Sequence, residues 1–398
     1  MGLLLVRPKE TQRSMNKYRL MTPGPTPTPP KVLAAGVEPI LHHRTREFAE
    51  IFTRVTENLG RILLTDNDVL MSTASGTGAF EGAIQNLFSP GDKVLAVNNG
   101  LFGERWVRMG RAFGLEVMEI RHEWGHKVDN DEVAEVISDN PDTKAAMCVL
   151  SETSSCTVND IEGFAKAAEN VVTIVDAVSG IGATPLRTDE WGVDVVVAGS
   201  QKALMTPPGL GIVSVSDRAW RFHEEATLPR YYFDWTTAKK AAQRALPQTS
   251  WTPAVTIIVQ LDVALQNILE QGLEAVFRRH VLLGRAARAG AKGIGLGLLG
   301  PDEDLNSAAT AVCLPEGVDG KRLVELMLDE HGVQVAGGQG PMDGRIFRIG
   351  HCGYFDAYDI IATIAATELS LRSVGHPVEL GSGVRAAEEV FAGAPSAV

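Results

Sequence analysis

Cysteine is scarce in this chain, and the four thiols, at Cys148, Cys156, Cys313 and Cys352, form no CxxC step and no zinc-type spacing. Scattered thiols in an acidic chain point to a reducing cytoplasm. Basic charge is also in deficit: 37 Lys and Arg face 49 Asp and Glu, a formal net charge of −12. The basic pairs Lys239–Lys240 and Arg278–Arg279 are too short to make a stripe, so nucleic acid is excluded as the main partner. No apolar run approaches the length of a membrane span. The segment Gly2–Val6 is too short for the apolar region of a signal peptide and has no cleavage site after it. No internal repeat is visible, and no cluster of metal ligands.

What is present is apolar alternation on the scale of a large enzyme. The 398 residues are 44% hydrophobic, enough for one large domain and a smaller one. Pro23-Gly24-Pro25 and the prolines that follow cannot be helical. Residues 47–64 carry helical apolar spacing at Phe48, Ile51, Phe52, Val55, Leu59 and Ile62. Then a strand opening 68–88 and strands at 92–100, 116–122, 143–153, 171–179, 194–200 and 211–216 alternate with helices. Strands that are apolar nearly throughout predict an α/β fold with a mostly parallel sheet of seven strands, covered on both faces. From about 276 the rhythm changes to a long helix (276–298), short strands and further helices, a smaller α+β unit. The expected division is an N-terminal arm over 1–21, a large domain over 22–275 and a small C-terminal domain over 276–398.

In open α/β sheets ligands sit beyond the carboxyl ends of the strands. Three polar features fall there. "SGTGAFEG" (75–82) puts glycines and the Thr77 hydroxyl at a helix start, suited to a phosphate or simply to tight packing. Asp176 closes the apolar run Val171–Val175, either as a helix-start aspartate or as a counter-charge to a protonated ring nitrogen. Lys202 follows "VDVVVAGSQ". It is either a surface lysine with a buried stem or an amine of lowered pKa, usable as nucleophile and proton carrier. An amine, a carboxylate and a phosphate nest at one sheet edge are what pyridoxal 5′-phosphate demands.

At these residues the sequence resembles the fold-type I pyridoxal-phosphate enzymes, and more narrowly the class V aminotransferases of the alanine–glyoxylate and serine–pyruvate group. The resemblance spans roughly 20–375. It rests on "TPGPT" (22–26), "SGTGA" (75–79), "NGLFGERW" (99–106), "SETSS" (151–155), "VDAVSGIG" (175–182), "GSQKAL" (199–204), "WTPA" (251–254) and "FRIGHCG" (347–353), in that order. It implies Lys202 as the Schiff-base lysine and Asp176 as the partner of the pyridine nitrogen. Thr77, Gly78 and Ala79, helped by Gln201, would hold the phosphate. Phe102 falls at the ring-stacking position and Thr153 beside the cofactor's O3′. Thr252 would reach the phosphate of a neighbouring subunit, which implies a homodimer with a shared active site. Arg348, preferred over Arg345, would clamp the substrate carboxylate, with Gly24 against the substrate.

The activity so implied is ping-pong transamination from alanine or serine to a 2-oxo acid such as glyoxylate. No second arginine for a dicarboxylate stands out, Arg44 and Arg230 being the candidates. His42, His43 and Arg44 form a polar cluster read as surface or interface. Cys352 is read as structural, which weighs against a cysteine desulfurase. Other readings are a lyase, an aminophosphonate or pyridoxamine transaminase, a nicotinamide dehydrogenase that leaves Lys202 unexplained, and a non-catalytic partner protein.

Overall fold

The computed structural model describes residues 17–305 and 307–394. Most of the expected arm, residues 1–16, and the end of the small-residue tail, 395–398, lie outside the described residues.

Seven strands build the main sheet: β1 (Asp68–Thr73), β2 (Lys93–Asn98), β3 (Glu116–Arg121), β4 (Ala145–Val149), β5 (Val172–Asp176), β6 (Val195–Gly199) and β7 (Leu210–Val215). Their order is β1-β7-β6-β5-β4-β2-β3. β7 runs antiparallel to both its neighbours and every other pair is parallel. With only β7 reversed, β1 to β6 all point one way, and their carboxyl ends share one edge. Strands β4 to β7 are buried residue by residue, as their valine-rich runs require.

Two helices leave that edge, α1 (Gly76–Leu87) after β1 and α2 (Leu101–Ala112) after β2. They pack through Phe80 and Trp106, whose rings stack with centroids 4.5 Å apart. Gly103 lets α2 lie close on its own strand, since a Cβ there would stand 2.6 Å from the Val97 carbonyl oxygen. The amphipathic helix Arg46–Leu63 and the helix Val255–Gln271 cover the opposite face with Phe48, Val55, Leu59, Ile258, Leu261 and Leu265.

The long helix expected over 276–298 is α3 (Leu273–Gly293). Its start is set by Gly272, whose φ of 82° breaks the preceding helix. Its end comes early because the chain turns at Gly295 (φ 90°) into a short strand. That strand, β8 (Gly297–Leu298), joins β9 (Ala309–Cys313), β10 (Ala336–Gly337) and β11 (Ile346–Gly350) in an antiparallel sheet of order β8-β9-β11-β10. Leu283, Ala287, Phe347, Ile349, Ile360 and Ile364 fill the core between this sheet and its helices. The chain's beginning is built into this end of the molecule. Arg19–Leu20 pairs in parallel with Val333–Gln334, Gly350 N–H donates to the Met21 carbonyl at 2.7 Å, and Met21 is buried. The described part of the arm is therefore tied down rather than loose.

At the opposite edge of the main sheet, buried Asp194 receives Arg218 through Nε and Nη2, the Thr173 N–H at 2.9 Å and the Ser216 hydroxyl at 2.8 Å. Removing one partner of a buried pair strands the other charge. Asp194→Ala is expected to lower stability by about 3 kcal/mol. Urea unfolding should show a lower midpoint at an unchanged slope.

Candidate active site

The shared edge gathers side chains from six segments. Lys202 lies just past β6, 8% exposed, and its Nζ donates to the Pro23 carbonyl at 2.9 Å. The contact is close because residue 24 is glycine: at φ 155° its backbone passes so near that a Cβ would sit 2.2 Å from Nζ. Thr26 completes the seam, its N–H donating to the Gln201 carbonyl at 3.1 Å and its hydroxyl to the Lys202 carbonyl at 2.7 Å. Burial pushes the Lys202 amine below the usual lysine range. Arg348 pushes the same way, while the nearby Cys352, Asp176 and Glu152 oppose it.

Asp176 ends β5, in register with Val149 of β4 and Val197 of β6. Its Oδ1 accepts the Val178 N–H at 2.9 Å, and among the described residues Oδ2 accepts nothing. Burial pushes the carboxyl up to about 7 against that hydrogen bond, with the Glu152 charge adding to the rise.

Phe102 stands in the first turn of α2, its ring centroid 6.0 Å from Lys202 Nζ. The anchor of that turn is Glu152, fully buried in a short hairpin after β4. Its carboxylate accepts the N–H groups of Phe102 and Gly103, each at 3.0 Å, and the N–H (3.1 Å) and hydroxyl (2.5 Å) of Ser154. Burial pushes this carboxyl up as well, while those donors favour the charged form. A carboxylate facing only donors serves as acceptor throughout.

Arg348 lies in β11 and is 5% exposed. Nε donates to the Gly337 carbonyl at 3.0 Å and Nη1 to the Thr153 carbonyl at 2.8 Å. Two main-chain bonds fix the fork and leave Nη2 free among the described residues. Burial pushes its pKa down, but a guanidinium remains charged. Arg345, the competitor by sequence, is exposed.

Thr77 sits at the start of α1, whose N-cap Ser75 makes no side-chain bond and whose first turn holds no acid. The Thr77 oxygen accepts from Arg105 Nη1 at 2.8 Å, and the Arg105 guanidinium lies 4.9 Å from the Phe102 centroid. Gly78 packs where a Cβ would meet Phe233 at 3.1 Å, and Ala79 is buried. Gln201 has a buried amide oxygen without a partner. Thr252 is exposed and lines a different cleft of about 770 Å³ with Ala79, Gly82, Tyr232, Phe233 and Trp251; Lys202 is not among its walls.

Of the other residues singled out by sequence, Arg44 donates to Gln248 at 2.8 Å from the surface. His43 contacts His42, with Nε2 buried and unpaired. Arg230 is spent on Asp234 and the carbonyls of Gln85, His223 and Ala226. Cys352 is buried, with the Pro23 carbonyl 4.0 Å from its sulfur, and burial pushes its thiol up to about 11. Sequence reasoning gave Glu152 no task beyond its place in "SETSS" and passed over Arg105. The signal available was a carboxylate three residues past an apolar strand, facing the helix start "NGLFG" only once the fold closes.

The family model described as aminotransferase class V matches residues 20–343. This chain belongs to the class V aminotransferases. As a member of that family it is an aminotransferase whose cofactor is pyridoxal 5′-phosphate. A protein of Anabaena cylindrica named soluble hydrogenase 42 kDa subunit is 42% identical over 382 residues, covering 94% of this chain and 99% of that one. An L-aspartate–glyoxylate aminotransferase of Paracoccus denitrificans is 35% identical over 381 residues, covering 94% and 96%. The crystal structure of ureidoglycine–glyoxylate aminotransferase from Bacillus subtilis superposes with a TM-score of 0.90 at 27% identity, covering 95% of this chain and 99% of that one. These neighbours share the fold-type I architecture, with its large mixed sheet of seven strands flanked by helices.

The residues at the edge fit the cofactor. A buried amine and a buried carboxylate with one oxygen unspent interact electrostatically, a flat aromatic ring lies 6.0 Å from the amine, and a helix N-terminus without its own anion follows β1 at the same edge. Among the described residues no group of three or more His, Cys, Asp or Glu is placed to hold a metal.

The raised Asp176 carboxyl has a consequence for the cofactor-free protein. A carboxyl whose folded pKa exceeds its unfolded value binds extra protons in the folded state. The stability this confers is full below about pH 4 and is lost as pH rises through about 7. Wild type should therefore lose stability relative to Asp176→Asn between about pH 4 and pH 7 in urea titrations of the cofactor-free protein. A constant gap across that range contradicts burial as the cause.

Proposed function

We propose that the chain moves the amino group of a small L-amino acid, alanine or serine, to glyoxylate in two half-reactions that share one lysine. The observation that carries this reading is the buried Lys202 amine, set between the Asp176 carboxylate and the Arg348 guanidinium at one sheet edge. The two aminotransferases compared above are both named for glyoxylate. That supports the acceptor. The donor is read as a monocarboxylic acid because Arg230 is already committed to Asp234 and three carbonyls.

When bound, the cofactor supplies an aldehyde that receives the amino group and a ring that takes up the electron pair released at the substrate's Cα. The residues have separate tasks. Lys202 would hold the cofactor through Nζ and, when free, would carry the substrate's Cα proton on Nζ to the carbon of the cofactor's aldehyde. Its lowered pKa suits an amine that must be partly neutral to act as a base. Asp176 keeps a proton on the ring nitrogen through its unspent oxygen. Phe102 stacks on the ring with its π-face. Thr77, Gly78, Ala79 and Gln201 hold the phosphate, and Thr153 stands beside O3′. Arg348, oriented by the Gly337 and Thr153 carbonyls, offers Nη2 and its remaining Nη1 hydrogen to the substrate carboxylate. Gly24, whose missing side chain makes room for the Lys202 amine, lies against the substrate in this reading.

Thr252, exposed and away from its own lysine, serves a neighbour's phosphate in this reading, so the working unit is a homodimer. The four free thiols fit a cytoplasmic setting. No helix among the described residues is long and apolar enough to cross a membrane.

The test is to add single amino acids to the purified yellow protein and follow its absorption and the 2-oxo acid released. Alanine or serine should bleach the band and yield pyruvate or hydroxypyruvate, and glyoxylate should restore it. Faster bleaching by aspartate, or by pyridoxamine, overturns the donor while leaving the family intact. Lys202→Ala should abolish turnover. Arg348→Ala should raise KM for donor and acceptor alike and cost about 100-fold in kcat/KM, ~3 kcal/mol, because it removes one partner of a buried charge pair.

A further inference from the structure

Arg105 holds none of the roles assigned above, yet its side chain sits among the residues that do. It lies one turn into α2, bonded to the Thr77 hydroxyl at 2.8 Å and resting on the Phe102 ring at 4.9 Å. The same ring centroid is 6.0 Å from Lys202 Nζ, so two cations lie near one aromatic ring. Among the described residues no carboxylate pairs with Arg105, whereas Arg111 further along the same helix pairs with Glu119. A partly covered guanidinium that spends a bond on a neutral hydroxyl has no anion bonded to it, and the Asp176 carboxylate interacts with it only at longer range. The imbalance is wider than one side chain. α2 has Glu152 at its start, but α1 has neither a side-chain cap nor an acid in its first turn. Positive ends therefore collect at Thr77 without an anion from this chain to meet them.

We propose that Arg105 is a direct ligand of the cofactor's phosphate, a cation supplied from α2 to the cradle at the start of α1. By donating to the Thr77 oxygen it also turns that hydroxyl's hydrogen outward, toward the same anion. Phe102 and Arg105, three residues apart, share a face of α2, so one helix presents both the ring that stacks and the charge that pairs. The proposal rests on the reading that the phosphate sits at Thr77–Ala79.

The test compares two ligands that differ only in the phosphate, pyridoxal 5′-phosphate and pyridoxal, binding to cofactor-free protein by absorbance or fluorescence titration. Arg105→Gln should weaken pyridoxal phosphate about 10- to 100-fold, the worth of a hydrogen bond to a charged group, and leave pyridoxal unchanged. Arg105→Lys, which retains the charge without the fork, should fall between; it carries the test if the glutamine variant does not fold. Equal losses for both ligands mean that Arg105 only supports Phe102, and overturn the proposal. So does an unchanged affinity for pyridoxal phosphate. A wild type that does not prefer pyridoxal phosphate to pyridoxal, or a Thr77→Ala variant that keeps that preference in full, overturns the underlying phosphate placement instead.

Discussion

The hydrogen bond from Lys202 Nζ to the Pro23 carbonyl is the contact on which the site depends. It places an amine, far along the chain, against backbone near the chain's beginning, and it requires glycine at 24 because any Cβ would occupy the amine's own position. Thr26 repeats the constraint with bonds to residues 201 and 202. The amine is therefore held in a buried place by one neutral acceptor, the Pro23 carbonyl. Burial is the leading cause of its lowered pKa. An amine solvated by water would be a cation at neutral pH and would need a strong base to free it.

The walls around that amine are tied by one dipeptide. Glu152 fixes the start of α2 and with it Phe102, while the carbonyl of Thr153 fixes Arg348. Ring and guanidinium, one on the main sheet's helix and one on the smaller sheet, are thus referred to the same two residues. Gly100 makes the arrangement possible, since a side chain there would collide with the Glu152 carboxylate. The electrostatic cost of burying Glu152 is offset by four donors, three of them main-chain N–H groups.

Much of this was legible in the sequence because strand ends advertise themselves. Lys202 and Asp176 are polar residues closing valine-rich runs, and parallel strands must bring such ends together. The reversal of β7 was not legible: an apolar strand reads the same in either direction, and only the path of the loop from Gly199 to Leu210 sets its sense. Likewise the two-residue strand Arg19–Leu20 carries no alternation, so its pairing with Val333–Gln334 could not be anticipated. Glu152 and Arg105 were opaque for another reason. Each works through partners some thirty to fifty residues away, joined by bonds that follow from how a helix start meets a hairpin. Arg345 and Arg348 look alike in sequence; Arg348 lies inside β11, which is buried throughout, whereas Arg345 precedes the strand and is exposed.

The bond from Gly350 to Met21 ties the segment carrying Pro23 to the smaller sheet, while Thr26 ties the same segment to residues 201 and 202 just past β6. Arg348 belongs to the smaller sheet. The Lys202 amine and the strand that carries Arg348 are thus joined by a short path, from the Pro23 carbonyl along the chain to Met21 and across its carbonyl to the Gly350 N–H.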